Sequence, residues 1–327
     1  MAYGSGLSAQ LGFINEGTYG TRTVPTKFPE FISETLSGNY GRIESNALRA
    51  GTRTARSDRW AVGPKDVNGT VVMEMQNKGL GLLLKHALGA CATSQPSVGT
   101  DPTVYEHKCT MADQTGLGLT VQVGRPTNAA VVQPWDYVGC KITSLKLSGA
   151  VGAIPQLEVT FYGQDEKTDQ TLATASYPAG LAVLTWAGTT VTIGGTNYPC
   201  QSAALTVTNA FKTDRYNLGA LTRSEPILNG KSTVGIDLTS EYVDNTAYAR
   251  ITGGTTAAVT MLFDGAVISH AYVFGIEVTM PCVRFDSDNP QVSGPDVLSQ
   301  PLKGIALDDA SADAPIKIVY RTTDATP

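Results

Sequence analysis

The sequence contains no run of about 20 apolar residues, so it predicts no transmembrane helix. Its first twenty residues also lack the basic and then apolar order of a secretion signal. Charged residues are scarce, at 16% of the 327 residues against 42% hydrophobic ones. We therefore expect a soluble protein, made in a cytoplasm, whose weakly charged surface is largely covered by partners.

Patterns that carry catalysis or bind metals are missing as well. The five cysteines are scattered with no Cys-x-x-Cys pair, which argues against a disulfide framework and a zinc site, and we expect reduced thiols. The three histidines have no metal-ligand spacing, and neither a phosphate-binding loop nor a nucleophile elbow occurs. The net charge of -5 disfavours a surface that grips nucleic acid. The sequence thus predicts no enzyme, no cofactor and no metal site.

Alternation of apolar and polar residues is frequent, and this period of two predicts strands with one wet face. The clearest cases are residues 141–147, 156–161, 190–193 and 316–320. Other segments rich in β-branched or aromatic residues are also predicted as strands: 28–36, 70–75, 103–111, 117–123, 205–207, 232–238, 258–263 and 272–280. Together with 34 glycines and 17 prolines for turns, these segments predict a mainly β fold.

Two segments have a helical pattern, residues 78–88 and 241–251, and they close at Gly89 and near Gly253. Each follows a strand that an Asn-Gly pair precedes. From the glycine of that pair to the closing glycine there are 20 residues in the first half and 23 in the second. The recurring order suggests a tandem duplication. Chance recurrence is the alternative, because Asn-Gly pairs are common before strands.

The chain is predicted to divide into four segments: an N-terminal arm (1–30), a first β module (31–165), a connection (166–198) and a second β module (199–327). The first module includes a long Arg-rich loop at 38–65. The connection is expected to contain a β-hairpin that pairs residues 181–186 with 190–193 across Gly188. One large β domain is the alternative.

Several short segments stand out in both halves of the chain: QLGFINEGTYGT at 10–21, FISE at 31–34, the basic stretch 41–60, residues 79–89, CQSAALTVTN at 200–209, MPCVRF at 280–285 and PQVSGPD at 290–296. In this order they resemble the tail tube proteins of long-tailed, siphovirus-type bacteriophages. The resemblance implies β-sandwich or barrel modules, each with one flanking α-helix. It also implies a structural virion protein, the major tail tube subunit, whose inner strands join neighbouring subunits into a barrel around a DNA-conducting lumen.

The resemblance further implies the partners. Rings would be sixfold or built from three duplicated chains, and would stack around a tape-measure protein. A tail terminator and distal tail proteins would close the ends, and viral DNA would pass through the lumen without specific binding. The protein would be located in the virion tail after synthesis in the host cytoplasm, with no membrane involved.

The densest basic stretch supplies the candidate contact residues, because Arg and Trp are favoured at interfaces. They are Arg42, Arg49, Arg53, Arg56, Arg59 and Trp60 on the predicted arm, with Asp308 and Asp309 as carboxylate counterparts in the acidic segment 286–313. The arm would reach an adjacent subunit or ring. A solvated loop without a partner is the main alternative, and DNA binding is a weaker one.

A different class of function is a β-rich adhesion or carbohydrate-binding virion module. Exposed aromatic residues such as Trp135, Trp186 and Tyr198 would then line a sugar-binding groove. A β-barrel hydrolase has the least support, because no catalytic pattern is present.

Overall fold

The computed structural model describes residues 4–128, 131–286, 290, 292, 294–295, 297–311 and 313–327. Parts of the predicted N-terminal arm (1–30), the acidic segment (286–313) and the PQVSGPD phrase (290–296) lie outside these described residues. Two α-helices and twenty strands occur in the described part, so the prediction of a mainly β fold is confirmed. Neither of these helices is long and apolar enough to cross a membrane.

The first half contains β1 (Gln10–Asn15), β2 (Ser33–Glu34), β3 (Ser37–Glu44), β4 (Trp60–Glu74), α1 (Gly81–Leu88), β5 (Gly89–Ser94), β6 (Tyr105–Met111), β7 (Leu119–Asn128), β8 (Val131–Ala150), β9 (Gln156–Gly163) and β10 (Asp165–Lys167). The second half contains β11 (Thr189–Ile193), β12 (Thr196–Asn197), β13 (Ser202–Thr208), β14 (Phe211–Lys212), β15 (Ile227–Leu228), β16 (Thr233–Glu241), α2 (Thr246–Thr252), β17 (Ala257–Ser269), β18 (Tyr272–Phe285), β19 (Ser299–Ala306) and β20 (Lys317–Thr322).

One antiparallel sheet runs across both halves of the chain, and we call it the cross-half sheet. Its strands lie in the order β3, β4, β9, β8, β13, β16, β19, with β2 beside β3 along β4. The two halves meet where β8 pairs with β13, from Ser144 opposite Thr208 to Ala150 opposite Ser202. Alternate side chains on these strands are buried, so the sheet has one core face and one solvent face.

A second layer packs against the core face of the cross-half sheet. Its strands lie in the order β5, β6, β20, β18, β17, β11, so it also combines both halves. The end of β18 crosses to pair with β19 and joins the layers. Helix α1 lies inside, in contact with β8 on one side and with β5 and β6 on the other. The buried side chains of both halves form one hydrophobic core.

The order of strand pairing in the first half recurs in the second. In the first half β1 pairs with β7, β7 with β8, β8 with β9 and β10, β9 with β4, and β4 with β3. In the second half β11 pairs with β17, β17 with β18, β18 with β19 and β20, β19 with β16, and β16 with β13. Helices α1 and α2 follow the corresponding strands β4 and β16. Strand β2 lies beside β3 along β4, so the two together correspond to β13. Strands β5, β6, β12, β14 and β15 have no counterpart in this scheme.

The N-terminal segment and the connection both contribute strands to the body, which differs from the prediction. Within the predicted arm 1–30, β1 lies in the sheet against β7, because Leu11 and Phe13 are buried in the core. The predicted pairing of 181–186 with 190–193 is wrong. Leu184 is buried and its amide bonds to the carbonyl of Met75, whereas β11 pairs with β12 and β17.

Two other boundaries differ from the prediction. Segment 38–65, predicted as a loop, contains all of β3 from Gly38 onward and the first part of β4, since their main chains pair although both faces are largely exposed. Helix α1 closes at Gly89 as predicted, and the φ of 107° at Gly89 is one that only glycine adopts easily. Helix α2 begins at Thr246 and not at residue 241, because residue 241 still belongs to β16. For α2 the left-handed position is Gly254, with φ 62°, and Gly253 keeps a helical φ of -81°.

Helix α1 is buried on almost every side, and this burial includes His86. The His86 side chain is 3% exposed, and its Nε2 atom has no hydrogen-bond partner in the described part of the chain. Burial lowers the pKa of His86 to about 3, because the charged imidazolium would lose its hydration. The folded chain therefore keeps His86 neutral at pH values where the unfolded chain protonates it.

We expect this histidine to make the fold less stable in mild acid. Because the folded pKa lies below the unfolded value of about 6.5, stability is lost as the pH falls through 6.5 toward 3. Between pH 7 and pH 5 the His86 contribution should decrease by about 2 kcal/mol. Urea unfolding of the wild type and of His86→Gln at both pH values measures it. Equal pH dependence of the two proteins would contradict the assignment.

Candidate functional site: an exposed arm and open strand edges

The Arg-rich segment forms an exposed two-stranded arm, which we define as residues 38–66. One contact that fixes its base to the body is the carboxylate of Glu166, which accepts hydrogen bonds from the Gly38 amide and the Tyr40 hydroxyl, both at 2.9 Å. On the other strand of the arm, the Lys65 amide donates to the Leu221 carbonyl at 2.8 Å. Desolvation, together with the hydrogen bond to Glu166, raises the pKa of Tyr40 to about 12, which keeps the hydroxyl a donor. The arm therefore leaves the body in a defined direction.

The corresponding connection of the second half, residues 209–232 between β13 and β16, lies against the body. Arg223 is buried with its guanidinium 3.3 Å from the centre of the Tyr162 ring. The carboxylate of Glu225 forms an ion pair with the ammonium group of Lys141 at 2.7 Å, and this ammonium group is also buried. Of these two described connections, only residues 38–66 therefore form a projecting arm.

Beyond its base the arm exposes apolar side chains. Ile43 and Trp60 are 58% and 52% exposed, and Leu48 is fully exposed. The guanidinium of Arg42 lies 5.4 Å from the centre of the Trp60 ring, a cation–π contact that holds the indole in place. Aromatic and arginine side chains side by side are enriched in the cores of protein interfaces. The arm therefore has the chemistry of a contact surface.

The arginines of the arm differ in their partners. Arg42 packs on Trp60, and Arg56 forms a bidentate pair with Asp58 at 3.0 and 2.8 Å. Besides Arg42, three guanidinium groups form no ion pair with the described residues: Arg49, Arg53 and Arg59. These three can bind carboxylates of another molecule without losing an internal partner.

Asp308 and Asp309 lie in the exposed loop after β19, and the structure does not bring them to the arm of the same chain. Asp308 accepts a hydrogen bond from the Ala310 amide at 2.9 Å, and Asp309 accepts one from the Ser311 amide at 3.0 Å. The hydrogen bonds from Ser311 hold the pKa of Asp309 below its usual value. Both side chains are exposed and available to another molecule.

Two strand edges of the cross-half sheet are open in the described residues. Strand β2 pairs with β4 on one side only. A surface pocket of about 460 Å³ borders β2, and the adjacent Ile32 side chain is 52% exposed. At the end of β18, Arg284 and Phe285 pair with β19, whereas pairing with β17 stops at Val283. Unpaired strand edges are the usual sites of strand addition.

The solvent face of the cross-half sheet is polar, and its carboxylates outnumber its lysines. Its middle is formed by partly exposed hydroxyl side chains: Thr70, Ser144, Thr160, Thr206 and Thr239. Each of its two lysines has a carboxylate nearby, Lys146 with Glu158 at 3.9 Å and Lys303 with Asp237 at 3.7 Å. Such a face offers no excess of positive charge to phosphate groups.

The aromatic residues considered for sugar binding do not form one site. Trp186 and Tyr198 line the same surface pocket of about 240 Å³ beside β11 and β13. Trp135 lies on β8, with the guanidinium of Arg125 4.9 Å from the centre of its ring.

The resemblance implied that strands of neighbouring subunits join, but the sequence does not indicate where the open edges lie. Ile32 and Phe285 belong to apolar stretches that read as ordinary strands, and no residue pattern tells which edge of a strand lacks a neighbour. The recurring Asn-Gly spacing is the one sequence signal that bears on them, because it suggests two similar units that could contact each other.

A comparison with protein families identifies the class of protein. The sequence model of the family described as phage tail tube protein matches residues 6–306, nearly the whole chain. No curated protein matches the chain. The family is one of structural proteins of the bacteriophage virion. The mainly β fold fits it, and the chain belongs to the phage tail tube protein family.

Proposed function

We propose that this chain is the major tail tube subunit of a siphovirus-type phage, and that three copies close into a ring of six modules. Rings stack around a tape-measure protein, and terminator and distal tail proteins close the two ends. Synthesis in the host cytoplasm precedes assembly. The observation that carries the proposal is the recurrence of the pairing order, because the modules are joined by a strand contact that copies of the chain can repeat.

The contact inside the chain supplies the geometry for the contact between chains. Strand β8 has β9 on one side and, near its end, β13 of the other module on the opposite side. The counterpart of β8 is β18, and the counterpart of β13 is the stretch formed by β2 and β3. The end of β18 has no partner opposite β19 in the described residues, and β2 has none opposite β4. The two open edges are therefore complementary.

Pairing of these edges would extend the cross-half sheet from one copy to the next. A head-to-tail contact of this kind generates a ring if the rotation closes. Closure removes both edges, and it gives main-chain hydrogen-bond partners to groups that water must otherwise satisfy. Six similar modules, two from each chain, would share one barrel.

Photo-crosslinking can test this edge contact and count the chains. A benzoylphenylalanine placed at Ser37, which is exposed at the start of β3, should crosslink to the neighbouring copy near the end of β18. Irradiated assemblies should give a ladder on a denaturing gel that stops at three chains, each of 34.4 kDa. Peptide mapping should locate the second site near Phe285.

The same group placed at Thr190, on the solvent face of the second layer, is the control and should give no ladder within isolated rings. A ladder of six would replace the trimer with a hexamer. Assembled tubes in which Ser37 crosslinks to nothing, or to a site far from β18, would eliminate the edge contact.

The arm is proposed to join one ring to the next. The exposed apolar side chains of the arm around Trp60 would pack on a neighbouring copy. The guanidinium groups of Arg49, Arg53 and Arg59 would pair with carboxylates such as Asp308 and Asp309. Burial of a half-exposed indole at an interface typically contributes about 2 kcal/mol or more. Rim ion pairs add specificity more than affinity.

Replacement of Trp60 separates this hypothesis from a solvated loop. Trp60→Ala should raise the concentration needed for tube formation about thirtyfold, while the melting temperature of the free subunit stays unchanged. Sedimentation and negative-stain microscopy measure the assembly. Trp186→Ala is the matched control, because that indole is 46% exposed but lies away from the arm. Equal assembly of both variants would reject the role of the arm.

The solvent face of the cross-half sheet is proposed to line the channel. Hydroxyl groups and paired charges would let DNA slide without specific binding, since a wall with no positive excess releases few counterions from DNA. The alternative of a sugar-binding module is less favoured because Trp135 is separate from Trp186 and Tyr198.

Charge reversal tests the lining. Glu158→Lys combined with Asp237→Lys would place four lysines on this face in each chain, with Lys146 and Lys303. Phages with this variant should assemble tails but eject DNA more slowly, and added salt should restore the rate. An ejection rate equal to that of the wild type at low salt would show that this face does not meet DNA.

A further inference from the structure

Two cysteines lie directly opposite each other on neighbouring strands. Cys91 of β5 and Cys109 of β6 are register partners in an antiparallel pair. Side chains at such positions lie on the same face of the sheet, with Cα atoms about 4.5–5.5 Å apart. That separation lies within the range that a disulfide requires. Both residues are free thiols, and their Sγ atoms are 2.7 Å apart.

The two thiols differ in exposure and in acidity, as an attacking and a resolving cysteine do. Cys91 is partly exposed and Cys109 is fully buried. The hydrogen bond donated by Cys109 lowers the pKa of Cys91, and the positive charge of Lys85 acts in the same direction. That hydrogen bond and burial raise the pKa of Cys109. The accessible sulfur is therefore the better nucleophile.

We propose that Cys91 and Cys109 are an oxidation site that closes into an intrachain disulfide when the protein meets a small disulfide such as oxidised glutathione. The Cys91 thiolate attacks one sulfur of the oxidant and releases the first glutathione thiolate. The Cys109 thiol then gives up its proton and attacks Cys91 Sγ, which releases the second glutathione. One oxidant is reduced to two thiols as the two cysteines lose two hydrogens and form one bond.

The disulfide would fasten a part of the molecule that main-chain pairing holds less firmly. In the described residues β5 pairs with β6 alone, so it is an edge strand of the second layer. Residues 95–104, which connect the two strands, are mostly exposed and would be enclosed by the new bond. Thiols stay reduced in a cytoplasm and can oxidise outside it. Since virions leave the cell, the pair would change state after assembly.

Intact-mass measurement of the folded protein tests the proposal. After incubation with oxidised glutathione, the chain should lose about 2 Da. Unfolding in N-ethylmaleimide should then label three of its five cysteines, and peptide mapping should join Cys91 to Cys109. The oxidised form should also melt at a higher temperature than the reduced form.

Two variants keep the test informative. Cys109→Ala should retain one glutathione on Cys91, because the resolving thiol is gone. Cys200→Ala removes another partly exposed thiol and should close the disulfide as the wild type does. Labelling of all five cysteines in the treated wild type would overturn the proposal. A stable glutathione adduct on wild-type Cys91 would also overturn it, as would a bond between Cys91 and any other cysteine.

Discussion

The pairing of β8 with β13 is the contact on which the rest of the structure depends. It joins the two halves through main-chain hydrogen bonds, so neither half has a complete sheet of its own. Once β8 and β13 are neighbours, their buried faces must share one core, and the second layer must span both halves to cover it. The β8–β13 contact also determines which edges stay open. Strand β2 and the end of β18 have no neighbouring strand of the kind that β8 and β13 provide for each other.

Buried cations reinforce this junction at the base of the arm. Lys141 of the first half reaches Glu225 of the second at 2.7 Å and donates to the Gln114 carbonyl at 2.6 Å. Arg223 donates to the Gly163 carbonyl and stacks on Tyr162. Removing one partner of such a pair leaves a buried charge, which costs about 3–5 kcal/mol. These contacts fix the second half against the strands from which the arm projects, so the direction of the arm depends on both halves.

Residue patterns were sufficient for some features of the fold and insufficient for others. Alternation at 141–147 and 156–161 predicted β8 and β9, because those strands have one buried face. The arm strands escaped prediction, since Arg42, Ile43 and Glu44 are all exposed and carry no alternation. The full order of strand pairing that recurs in the two halves could not be predicted, because β1 and β11 are short and their partners, β7 and β17, lie far along the chain. Of the candidate contact residues, the arm arginines were recognisable from composition, whereas an open edge is a property of neighbours.

The difference between the two long connections has a mechanical consequence. In a ring of three chains, the projecting ribbon of residues 38–66 would occur at every second module, and the folded-back segment 209–232 would occupy the positions between. The wall of the barrel would then have nearly sixfold symmetry, but the surface that meets the adjacent ring would have only threefold symmetry. Successive rings could therefore dock only at angles related by a third of a turn. A tube built in this way would resist torsion through its arms and would carry a fixed helical offset from ring to ring.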